Sequence, residues 1–284
     1  MNSTLKLWSQ LGLGTALAGG LLAACSGGEA GGESGGEGAQ TASAAAASAG
    51  EGEGGSGEGE RAAAGGEGEG GVAVADAAKD PVAYGIALAV AEAHVVAARD
   101  AYAAGNKQAA AEMFAHPVSE VLLDMDSVFT TLGVADFKPL FTAAADAALA
   151  GKSTAEVNKA HDKIIAALRA AATKAPAGAS PAKVSAGVIA DMIERASAMY
   201  RKLAKDANYE PYLDGYGFAR VAASTFSSSG AGIKAENPGA HARIAEALGL
   251  LAKAYPGAAR PAMLPVEAGA LSAASAKVML AAGT

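Results

Sequence analysis

Residues 80–104 read DPVAYGIALAVAEAHVVAARDAYAA, a stretch that favours one long α-helix. Asp80 followed by Pro81 is typical of a helix start, because aspartate caps free backbone N–H groups and proline fits the first turn. Alanine, which has the highest helix propensity, dominates the residues that follow, and Gly105 ends the pattern. The stretch therefore predicts a helix from Pro81 to about Ala104.

The chain after Ala73 repeats this organisation, with proline and glycine falling between alanine-rich segments. Ser153 with Glu156 forms a capping-box pattern, and Ser180-Pro181 repeats the start seen at Asp80. No segment alternates at period two, so we predict an all-α bundle of about eight helices. Eight expected helices cover residues 80–104, 116–131, 136–150, 153–174, 180–206, 211–227, 238–254 and 266–281, and a further short one covers 107–114.

The N-terminal segment differs in composition from the rest. Residues 1–24 carry a single charge, Lys6, and an apolar run that ends at the only cysteine, Cys25. This pattern predicts an export signal, since the run is too short for a bilayer span of roughly twenty residues. A chain with one cysteine forms no internal disulfide, so its domain depends on its core.

Leu22, Ala23, Ala24 and Cys25 resemble the lipobox of bacterial lipoproteins. The resemblance implies that the signal peptide is cleaved before Cys25 and that lipid on its thiol anchors the protein to a membrane. Ser26 implies the outer membrane, with the domain facing the periplasm. The alternative is an ordinary signal peptide cleaved at a nearby small residue.

Residues 26–72 contain nine glutamates, one arginine and no aromatic residue. Such a sequence cannot bury enough apolar surface to fold, so we expect a disordered acidic linker between Cys25 and a helical domain at 73–284. That domain has twenty acidic and twenty basic residues, which gives no basic surface for nucleic acid. The similar starts at Asp80 and Ser180 suggest two packed halves, residues 80–175 and 180–284.

Two histidines and a glutamate suggest a metal site. Pro117 follows His116, and Glu120 lies one turn further, so the two side chains can chelate a divalent cation. His94 lies on an apolar helix face and is either a third ligand or a core histidine with a hydrogen-bonded partner. His116 and Glu120 have the alternative roles of closing a helix end and answering the helix dipole. The helix starts at Asp80 and Ser180 lie one hundred residues apart, so Glu194 has the same place in the second half as His94 in the first. Glu194 would complete the site.

A second group of candidates lies in YEPYLDGYGFARVA, residues 209–222. Its aromatic and acidic side chains would line a ligand cleft, or would instead pack at a helix junction. The cleft candidates are Tyr209, Tyr212, Asp214 and Tyr216.

The two segments together resemble exported helical proteins of bacteria that have no assigned activity. The matching residues are His94, Arg99, Tyr102, His116, Pro117 and Glu120, followed by Asp214, Gly217 and Phe218. More distantly, the chain is similar to imelysin-like proteins and to EfeO-type periplasmic iron-uptake components. That resemblance implies metal binding, although three residues separate His116 from Glu120 where those proteins have a histidine-x-x-glutamate motif.

The sequence therefore predicts a membrane-tethered periplasmic protein that binds a divalent metal, either iron, zinc or copper. The competing hypothesis is an envelope scaffold in which the same residues are caps and core hydrogen bonds, and the helical surface meets a protein partner. A nucleophile elbow, a zinc-protease pair and a phosphate loop are absent from the sequence, which makes an enzyme the less favoured class.

Overall fold

All regular elements are helical within residues 73–203 and 208–283, the part of the chain that the computed structural model describes. The all-α prediction is confirmed. The predicted signal peptide, Cys25 and the linker lie outside the described residues. The helices are α1 Val74–Ala77, α2 Pro81–Ala103, α3 Lys107–Pro117, α4 Asp126–Leu132, α5 Lys138–Leu149, α6 Thr154–Ala172, α7 Pro181–Leu203, α8 Glu210–Glu236, α9 Pro238–Ala254 and α10 Ala268–Ala282.

Capping residues set the start of several helices, as the sequence suggested. The Asp80 carboxylate accepts a hydrogen bond from the Val82 N–H at 2.8 Å, with Pro81 in the first turn of α2. Ser153 and Glu156 make the reciprocal bonds of a capping box at the start of α6. Gly105 follows α2 with a φ of 91°, a conformation that favours glycine at a helix end.

Helix α2 lies at the centre of the domain. It contacts α3, α6, α7 and α8, and most of its side chains are buried. By length and composition α2 could cross a membrane, but a core helix passes the same test and here the helix is largely enclosed by protein. Residues of both predicted halves belong to one hydrophobic core, in which α2 packs directly against α8.

A π-helical segment, Val118–Leu122, continues directly from α3. Pro117 has no N–H and interrupts the regular ladder, and the Leu123 N–H then bonds the Val118 carbonyl five residues back, at 3.1 Å. The prediction that Pro117 opens a new helix was therefore wrong, because this proline is the last residue of α3. Glu120 consequently lies in the π-helical segment.

The C-terminal part of α8 also differs from the prediction. We expected this helix to end near Ser227, before a Gly/Ser loop, but it continues through Gly230 to Glu236. Gly230 and Ile233 are both buried, so tertiary packing of this segment outweighs the low helix propensity of its glycines.

Candidate metal site

His94 is the buried residue around which the candidate site forms. Only 4% of it is exposed, and its Nδ1 lies 2.8 Å from the Val90 carbonyl oxygen, one turn back on α2. Because a carbonyl oxygen only accepts hydrogen bonds, Nδ1 carries the hydrogen and Nε2 is directed to the other side of the ring. Nε2 lies 3.3 Å from Oε2 of Glu120 and 3.5 Å from Oδ1 of Asp214.

The second histidine approaches from α3. Nδ1 of His116 lies 3.6 Å from Oε1 of Glu120, and the His94 and His116 rings meet edge to face with centroids 6.0 Å apart. One potential ligand atom from each of His94, His116 and Glu120 lies within 4.8 Å of the other two. The structure therefore brings together three of the four predicted ligands in a group that could hold a metal ion.

Asp214 joins the group from α8, although the sequence suggested a place for it in a ligand cleft. Its Oδ1 is buried and has no hydrogen-bond partner among the residues that the structure describes. A buried acceptor without a hydrogen bond costs free energy, and a donated hydrogen or a bound cation at this oxygen would remove that cost.

The pKa values of the group reflect burial and mutual attraction. Burial opposes the charged form of His94, but the neighbouring carboxylates of Glu120 and Asp214 outweigh it and raise the pKa of His94 to about 9. Burial also acts on Glu120, where the hydrogen bond and charge of His94 prevail and lower its pKa. For Asp214 burial prevails and raises its pKa to about 6.

Glu194, the fourth predicted ligand, does not lie in this group. Its Oε2 accepts a hydrogen bond from the Ser275 hydroxyl on α10, and its Oε1 lies 3.4 Å from an Arg201 nitrogen. The prediction that Glu194 lies near His94, made from matching positions in the two halves, was wrong. The face of α7 that carries Glu194 is turned toward α10. Asp214 on α8 occupies the position near His94 that we assigned to Glu194.

The tyrosines of the second segment have different roles. Tyr209 lines a cleft of about 740 Å³ between the start of α3 and the start of α8. The hydroxyls of Tyr212 and Tyr216 instead bind the Gly257 carbonyl and the Asp100 carboxylate, each at 2.7 Å, and both rings are buried. Tyr212 and Tyr216 therefore follow the alternative prediction, in which they pack at a helix junction.

Glu210 is a further acidic residue near the site and was not among the candidates predicted from the sequence. Its Oε1 lies 3.7 Å from Nε2 of His116, and it is one of the residues that line the cleft. Glu210 and Asp214 are four residues apart on α8, the same spacing that drew attention to His116 and Glu120. That spacing was therefore a usable signal.

No protein-family model, curated protein or solved structure matches this chain.

Proposed function

We propose that the domain binds a divalent transition-metal ion through His94, His116, Glu120 and Asp214, and that the protein serves in metal capture or handling. The observation that carries this proposal is the buried Oδ1 of Asp214, which has no hydrogen bond within the described residues and lies beside Nε2 of His94, itself close to Oε2 of Glu120. A metal ion among these atoms would satisfy all three.

The donor set indicates the class of metal. Two imidazoles with carboxylates suit zinc, iron or copper, whereas magnesium and calcium prefer oxygen ligands throughout. The bond from His94 Nδ1 to the Val90 carbonyl supports this assignment, because metal-binding histidines usually donate their second ring N–H to such an acceptor. It fixes the ring with Nε2 facing the site.

The cellular setting is part of the proposal and rests on the sequence alone. The lipobox-like residues 22–25 favour a lipid anchor on Cys25, with the domain held in the periplasm at the outer membrane. A metal site in a protein tethered there would meet ions that have entered the envelope.

The second candidate is an envelope scaffold with no metal. In that case His94 is protonated and donates its Nε2–H between Glu120 and Asp214, forming a buried ionic group that fixes the packing of α2 against α8. The observation that favours this function is the placement of Nε2 of His94 between Oε2 of Glu120 at 3.3 Å and Oδ1 of Asp214 at 3.5 Å, and these carboxylates raise the pKa of His94 to about 9.

Metal titration of the full-length protein separates the two functions. The protein would be purified without an affinity tag, treated with a chelator, and titrated with Zn²⁺ and with Co²⁺, whose absorption spectrum reports the ligands. We expect a single tightly bound ion per chain, and a loss of affinity of at least about 100-fold in Glu120→Gln, since even an outer-shell change costs 10 to 100-fold.

The matched control is Glu194→Gln, which removes the same charge from a carboxylate outside the site and should leave the affinity unchanged. A wild-type protein that binds neither ion, or a Glu120→Gln variant that binds both as tightly as wild type, would favour the scaffold.

A further inference from the structure

His116 lies between two carboxylates, one toward the interior and one toward the solvent. Its Nδ1 faces Oε1 of Glu120 at 3.6 Å, while its Nε2 faces Oε1 of Glu210 at 3.7 Å. The imidazole therefore presents one nitrogen to the inner ligand group and the other to Glu210. A single ring can in this way contribute to two successive positions of a metal ion.

Exposure rises stepwise along this line of side chains. The exposed fraction is 4% for His94, 19% for Glu120, 23% for His116 and 57% for Glu210. The buried end, at His94, is suited to holding an ion away from water. The exposed end, at Glu210, is where a hydrated ion would first contact the protein.

The cleft supplies access to the exposed end. Its volume of about 740 Å³ exceeds the space that a hydrated ion needs, and the charged residues of its lining are two carboxylates, Glu210 and Glu112, and one lysine, Lys107. Carboxylates in a cleft raise the local concentration of cations and their association rate. The cleft is formed by the N-terminal parts of α3 and α8 and the residues just before them, and these two helices also carry His116 and Asp214.

We infer that Glu210 and Nε2 of His116 form the entry position of the metal site, from which an ion passes to the inner position formed by His94, Glu120, Asp214 and Nδ1 of His116. This inference rests on the proposed function. In the entry step Glu210 replaces one water of the hydrated ion. In the transfer step the inner carboxylates and Nε2 of His94 replace Glu210 and Nε2 of His116. The proton on Nδ1 of His116 leaves to solvent so that Nδ1 can bind the ion, a proton from solvent binds the vacated Nε2, and Glu210 returns to the solvent.

An entry ligand has a kinetic signature that a final ligand lacks. Glu210 contacts the ion only during passage, so its removal raises the barrier between free and bound states without changing either end state. The association and dissociation rate constants should then fall by the same factor, with Kd unchanged. Loss of a final ligand would instead weaken Kd, mainly through faster dissociation.

The test is stopped-flow measurement of Zn²⁺ association, and of Zn²⁺ release to an excess of chelator, with the full-length protein and Glu210→Gln. We expect both rate constants to fall about tenfold, the lower end of the effect of charge on cation association in clefts. Kd should stay within about twofold of wild type, far less than the 10 to 100-fold cost of disturbing a ligand shell.

Glu112→Gln is the matched control, because Glu112 is an exposed carboxylate that lines the same cleft and accepts a hydrogen bond from Gln108 at 2.6 Å. Its rates should remain close to wild type. Equal slowing in both variants would show general charge attraction and overturn the entry position, as would unchanged rates or a weakened Kd in Glu210→Gln. Wild-type protein that fails to bind Zn²⁺ would overturn the proposed function as well.

Discussion

The protonation of His94 links the candidate site to the stability of the fold. Its pKa is raised from 6.5 to about 9 in the folded protein, so the folded state holds this proton more tightly than the unfolded chain. A group of this kind stabilises the protein fully below its unfolded pKa, and the contribution disappears as the pH rises through the folded pKa. For His94 the window runs from pH 6.5 to about 9.

The metal-free protein should therefore lose stability as the pH rises through this window. The shift corresponds to a decrease of at most about 3 kcal/mol in the free energy of unfolding. Urea unfolding at several pH values, in the presence of a chelator, measures this decrease, and His94→Gln should remove most of it. An equal pH dependence in wild type and His94→Gln would contradict the assignment of this proton. Metal affinity should instead increase as the pH rises, because a coordinating histidine must be deprotonated.

At the scale of the elements, the site depends on how closely α2 and α8 approach each other. A Cβ added at Gly217 would lie 2.8 Å from the carbonyl carbon of Ala93 on α2, and closer still to its oxygen. The atoms in the way belong to the Ala93 carbonyl group, which is held within a helix and cannot rotate away as a side chain can. Gly217 lies one turn from Asp214, so the glycine permits the approach that brings Asp214 to His94.

Gly217→Ala should force the two helices apart and destabilise the protein by about 1 to 3 kcal/mol, the usual cost of overpacking. The added distance between α2 and α8 should also weaken metal binding. Gly249→Ala on α9 is the control, because an added Cβ there meets nothing within 4 Å. It should stabilise the helix by about 0.5 to 1 kcal/mol, since alanine loses less entropy on folding. Urea unfolding of both variants measures the difference, and equal stabilities would contradict this account of Gly217.

The elements also show how far local sequence determines the structure. The starts of α2 and α6 were predictable because their caps lie within a few residues of the helices that they begin. The π-helical segment was not predictable, because its hydrogen bonds depend on the backbone conformation of the residues after Pro117, which the local sequence does not determine. His116 and Glu120 were identified from a local spacing. The contact between His94 and Asp214 joins residues far apart in sequence and depends on the packing of α2 against α8.

At the scale of the whole molecule, the described helices form one hydrophobic core. The two predicted halves are both represented in it, by residues such as Phe141 on α5 and Leu251 on α9. Helix α2 belongs to the first half by sequence but contacts α7 and α8 of the second. Neither half can keep its buried surface if the other unfolds, because α2 would lose one side of its packing.

We therefore expect the domain to unfold in a single cooperative transition. Phe141→Ala and Leu251→Ala remove side chains that are 0% and 1% exposed, and each should cost about 2 to 5 kcal/mol. Both should move one transition to lower urea, seen identically by far-ultraviolet circular dichroism and by tyrosine fluorescence. Two independent halves would instead give a biphasic curve, in which Phe141→Ala shifts one phase and Leu251→Ala the other. A single shared transition would mean that a metal ion bound at the interface of α2 and α8 stabilises every helix of the domain at once.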